Sequence, residues 1–146
     1  MTRPNERPIT VIQVQLIAIA LALTPLIYLL LCFIIQKFVM EKSGSFGNLP
    51  SSLHMILFVV GLSIGTTSIF GGHFLRGLML SQAQAKNLKL KMRIVIVTLT
   101  FGETSAIFGL VFFLITGKLI EASILIALGF ASAITLFPTR RWLEKE

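Results

Sequence analysis

Apolar residues dominate four long runs, Val11 to Ile35, Leu53 to Leu80, Ile94 to Thr116 and Leu119 to Phe137, and polar and charged residues gather between them. Each run can cross a hydrocarbon core at about 1.5 Å per helical residue. Helices are required there, because an open sheet would leave backbone groups unpaired in lipid and the runs lack the two-residue alternation of a barrel strand. The pattern predicts an all-α membrane protein, with four transmembrane helices at 11-36, 53-80, 94-116 and 119-137 forming an up-down bundle in a single domain.

The breaks carry turn chemistry. Ser43-Gly44-Ser45-Phe46-Gly47-Asn48-Leu49-Pro50 separates the first two helices, a polar loop from Ser81 to Lys91 separates the middle pair, and Gly117-Lys118 makes a very tight final link. Thr24-Pro25 predicts a kink inside the first helix, with the hydroxyl able to satisfy freed backbone groups.

Composition narrows the class. Of 146 residues 55% are hydrophobic and 13% charged, too little polar surface to cover a water-soluble fold. Lys and Arg set the orientation. Arg3, Arg7, Arg76, Lys86, Lys89, Lys91, Arg93, Arg140, Arg141 and Lys145 fall on one side, and Lys37, Lys42 and Lys118 on the other. Both termini and the central loop are expected in the cytoplasm, and the protein in the plasma (inner) membrane as a multi-pass chain. The net charge of +7 reads as topology signals and affinity for anionic headgroups of the lipid bilayer, with no nucleic acid as partner. Cys32, the single cysteine, reads as a small buried hydrophobe.

One residue stands out for chemistry. Glu103 lies near the middle of the third run, where a charged side chain costs roughly 2.5 to 3.5 kcal/mol and survives only if protonated, paired or ion-bound. No Lys or Arg shares its depth. Gly61, Gly65, Ser68 and Gly72 form one face of the second helix, and Gly102, Ala106 and Gly109 one face of the third. Such faces let helix backbones approach closely. A hairpin of these two helices would set Glu103 level with Thr66 to Gly71, making Thr66, Thr67 and Ser68 oxygen partners, with His73 a turn nearer the cytoplasm as a proton relay. His54 starts the second run at the opposite surface. With no aspartate and only two histidines no metal cluster is expected, and no cofactor; with no nucleophile-base set, neither is an enzyme.

Gly61-Leu62-Ser63-Ile64-Gly65, a polar basic loop and then Gly102-Glu103-Thr104-Ser105-Ala106-Ile107-Phe108-Gly109-Leu110-Val111 together resemble the c subunit, or proteolipid, of rotary ATP synthases. The resemblance covers roughly Gly61 to Gly117 and marks a divergent four-helix relative. It implies a hairpin in which Glu103 binds and releases a proton or monovalent cation, Thr104 supplies the adjacent hydroxyl and Phe108 takes the place of a common tyrosine. Thr66 falls near the polar ligand of the first proteolipid helix. Two other readings accompany it: an accessory or anchoring subunit of a larger membrane complex, or a homo-oligomer, docking through its small faces and basic loop, and a compact proton-coupled exporter.

Overall fold

The computed structural model describes residues 10–40, 49–82 and 88–139. Four helices make up nearly all of it: α1 (Val11–Ile35), which runs on into a π-helical turn at Gln36–Met40, α2 (Ser51–Gln82), α3 (Leu88–Thr116) and α4 (Leu119–Leu136). Each is long and apolar enough to cross a membrane. No strand occurs among the described residues. The turn residues 43–48, the centre of the basic loop with Lys86, and Arg3, Arg7, Lys42, Arg140, Arg141 and Lys145 lie outside the described residues.

Local chemistry explains the helix ends. Thr10 opens α1 with a capping box: its hydroxyl accepts from the Gln13 N–H at 3.3 Å, and the Gln13 side chain accepts from the Thr10 N–H at 3.0 Å. Pro25 sits inside α1 without ending it. Thr24 donates its hydroxyl to the Ala20 carbonyl at 3.2 Å, one residue short of the Leu21 carbonyl that the proline deprives of an N–H. Gly117, at φ 69°, turns α3 into α4, and its N–H reaches the Phe113 carbonyl at 2.7 Å. That left-handed residue is the usual helix stop.

The helix α3 begins at Leu88 rather than near Ile94. Hydropathy marks where apolar residues thicken, but backbone pairing continues through Lys89, Lys91 and Arg93 because Leu88 and Met92 still pack on the core.

The helices α3 and α4 form the centre, and each also touches α1 and α2. Half of the apolar window of α3 is buried, against 17% for α1 and for α2. Val14, Ala18, Val95, Leu99, Ala133 and Leu136 fill one end of the bundle, and Cys32, Ala106, Phe112, Phe113, Ala122, Leu125 and Ile126 the other.

Small residues set these contacts, but not between the partners expected. The α2 face lies over the seam of α3 and α4: a β-carbon on Gly61 would meet Phe108 and Leu125, on Gly65 Ser105 and Leu128, and on Gly72 Leu136. Gly102 and Gly109 instead face α4, against Ser132 and Ile126, and Ala106 packs on Gly129, where an added β-carbon would stand 2.8 Å from the Ala106 nitrogen. The two stripes therefore do not press on each other. Gly129 is the counterpart of the α3 stripe.

Candidate functional site

The arrangement around Glu103 starts from helix rotation. With Gly102, Ala106 and Gly109 turned to α4, the next residue on α3 points about 100° away, and the neighbours of its carboxyl come from α1. Glu103 is buried, with 6% of its surface exposed. The Thr24 hydroxyl lies within hydrogen-bonding reach of the carboxyl, and Tyr28, one turn further along α1, is near enough for an electrostatic interaction with it. Oxygen Oε1 of Glu103 is buried without a hydrogen-bond partner among the described residues.

That geometry constrains the chemistry. Thr24 has one proton to donate and two lone pairs to accept with. While its hydroxyl donates to Ala20 it can accept from a protonated Glu103, and rotating that hydroxyl turns it into a donor toward a carboxylate. One side chain can thus serve both states of the acid. The orphan Oε1 is the position where a further donor or a cation would be accommodated, since leaving a buried polar atom unpaired costs about 1–3 kcal/mol.

The other expected residues are placed differently. Thr66 is exposed and closes its hydroxyl on the Leu62 carbonyl at 2.8 Å. Ser68 is buried and bonds the Ile64 carbonyl at 2.8 Å. Thr104, next in sequence to Glu103, is exposed and lines an outer groove with Ser63, Thr67, Ser68 and Phe101. His73 is exposed on α2. The structure thus sets Ser63, Thr67, Ser68 and Thr104 along one groove and Glu103 with Thr24 and Tyr28 on another side of α3.

Sequence reading missed Tyr28 and took Thr24 only as part of a kink. Their four-residue spacing in the apolar stretch of α1 after Gln15 was the available signal. It also missed a cluster at the turn between α3 and α4. His54 Nε2 lies 3.8 Å from Glu121 Oε1, Lys118 Nζ lies 3.8 Å from the same oxygen, and Lys118 Nζ is 3.5 Å from His54 Nδ1. The His54 ring leans on Phe112 with centroids 5.4 Å apart. Ser105 is a further contributor: its hydroxyl donates to the Leu125 carbonyl at 2.9 Å, tying α3 to α4. No group of three or more potential metal ligands occurs among the described residues. No protein-family model, curated protein or solved structure matches the chain.

Proposed function

We propose that this chain is a small multi-pass membrane protein that binds and releases a proton or monovalent cation at Glu103. The observation that carries the reading is the buried Glu103 carboxyl with one oxygen unpartnered. In a helix that crosses lipid, such a group must be neutral, paired or ion-bound, and the Thr24 hydroxyl of α1 is within its reach. Intramembrane acids of this kind serve ion pathways and proton relays. The bundle runs up and down through the plasma (inner) membrane with both termini in the cytoplasm, an orientation supported by the bias of Lys and Arg. The likeness of Gly102-Glu103-Thr104 and the residues after it to a proteolipid hairpin supports the same chemistry, with Thr24 taking the helper's place expected of Thr66 and Thr104.

The test is labelling of the purified protein in lipid by a hydrophobic carbodiimide, which modifies protonated carboxyls. Glu103 is expected to react, sodium or high pH to protect it, and Glu103→Gln to abolish the labelling. A Glu103 that stays unmodified at every pH and cation concentration would sink the reading.

A second reading, a subunit of a larger membrane assembly or a homo-oligomer, is favoured by one feature. Thr67 and Thr104 expose hydroxyls on the outer groove between α2 and α3, polar groups that a neighbouring helix could use as glue. Co-purification at fixed stoichiometry is its expected sign, and a monomer in native lipid its refutation.

A further inference from the structure

The helices α1 and α2 pack on α3 and α4 but hardly on each other, so one flank of α3 is left uncovered between them. From Lys89 to Thr104 the exposed positions of α3 are Lys89, Arg93, Val97, Thr100 and Thr104. At 3.6 residues per turn they fall within about 80° of the helix circumference. The result is a narrow strip, basic at one end and uncharged below it.

Grooves flank the strip on both sides. Met92 closes one of about 430 Å³ with Gln13, Leu16 and Ile17 of α1, and Phe101 and Thr104 close another of about 340 Å³ with Val59, Ser63 and Ser68 of α2. The second wall suits hydrocarbon. Ser63 and Ser68 return their hydroxyls to the Val59 and Ile64 carbonyls of their own helix, at 3.0 and 2.8 Å, so an apolar chain lying there strands neither donor.

Dimensions and charge name the occupant. From Arg93 to Thr104 the helix rises about 16 Å, the depth of one leaflet in a hydrocarbon core about 30 Å thick. No carboxylate meets the basic end: among the described residues the only acids are Glu103, which is buried, and Glu121, beyond the other end of α3 beside Lys118. A second copy fits poorly, because two chains meeting by this flank about an axis along the membrane normal would set Lys89 and Arg93 of one against those of the other.

We propose that this flank of α3 binds one anionic phospholipid, its phosphate held by Arg93 and Lys89 and its acyl chains laid in the grooves against α1 and α2. The planar guanidinium of Arg93 can meet a phosphate through two parallel N–H bonds, and Lys89, one turn nearer the helix end, adds a point charge. Selectivity comes from charge and groove together. A zwitterionic lipid fits the grooves but brings its own cation to the basic end, and a soluble phosphate ester satisfies the charge alone. The site does not involve Glu103, so neither proposal depends on the other.

The experiment is native mass spectrometry of the full chain released from nonionic detergent and titrated with dioleoyl phosphatidylglycerol or dioleoyl phosphatidylcholine. One phosphatidylglycerol is expected to bind at least about fivefold more tightly than phosphatidylcholine, with Arg93→Gln losing about fivefold and Arg93→Lys less. Thr104→Trp, which fills the groove beside α2, is expected to weaken both lipids, and Lys118→Gln, at the other end of the bundle, neither. Glycerol phosphate, which carries the anion without the chains, is expected not to compete. Equal affinity for the two lipids, parent-like binding in Arg93→Gln or Thr104→Trp, an equal loss in Lys118→Gln, or displacement by glycerol phosphate overturns the site. So does a dimer that Thr104→Trp dissociates and phosphatidylglycerol leaves intact, which would give the flank to a second copy.

Discussion

Glu103 on α3 faces Thr24 on α1, the residue just ahead of the proline that interrupts hydrogen bonding in that helix. The pairing joins a central helix to a peripheral one through polar groups inside an apolar bundle. Thr24→Val keeps the shape and deletes the hydroxyl, so it should lower stability by about 1 kcal/mol. Glu103→Gln probes the same contact from the other side. If the two groups interact, a double-mutant cycle read by unfolding in mixed detergent micelles returns a coupling of about 0.5 kcal/mol or more; strict additivity would show that they merely lie near each other.

Close packing at Gly129 gives a sharper expectation. A β-carbon there would stand 2.7 Å from the Ala106 β-carbon and 2.8 Å from its nitrogen, backbone that cannot swing aside. Gly129→Val should therefore cost about 1–3 kcal/mol by forcing α3 and α4 apart. Gly77 is the control, since nothing lies within 4 Å of its added β-carbon. Gly77→Ala should stabilise α2 by about 0.5–1 kcal/mol. Thermal unfolding in one detergent measures both, and equal effects would contradict the packing account.

The contrast between those glycines bears on what could be read from the chain. Four spans were legible because lipid demands long apolar helices, a requirement that hydropathy reports directly. Their rotation was not. Apolar residues surround all sides of α1, with Ile12, Leu16, Ile27 and Leu30 exposed alongside buried Val14 and Ala18, so no amphipathic stripe tells inside from outside. Counting along the chain placed Glu103 at a depth but gave no azimuth, and the expected partner Thr66 was one helix away from the observed one. The small residues of α3 held the missing information: once Gly102 faces Ser132 and Ala106 faces Gly129, Glu103 must turn elsewhere. Their partner Gly129 was the residue overlooked.

The tight turn at Gly117 allows a test of backbone rather than packing. Its φ of 69° lies in the left-handed region, which costs a residue bearing a β-carbon about 1–2 kcal/mol. Gly117→Ala should be destabilised by that amount. Gly117→Asn should lose less, because asparagine tolerates this conformation at helix ends. Thermal unfolding of the two variants side by side checks the order, and a Gly117→Ala protein as stable as the parent would mean that the turn relaxes.

The cluster of His54, Lys118 and Glu121 separates charge from packing. Lys118 is half exposed, at 51%, and Glu121 is 29% exposed, so water and salt screen the ion pair and its worth should stay under about 1 kcal/mol. Glu121→Gln is then expected to shift unfolding slightly at low salt and not at all at high salt. The His54 ring, by contrast, rests against Phe112, a contact worth about 0.5–1.5 kcal/mol beyond its buried area. Truncation in His54→Ala should cost more than Glu121→Gln at every salt concentration, and His54→Phe should recover most of the loss. A salt-dependent penalty in His54→Ala that His54→Phe fails to rescue would show that charge holds this end together.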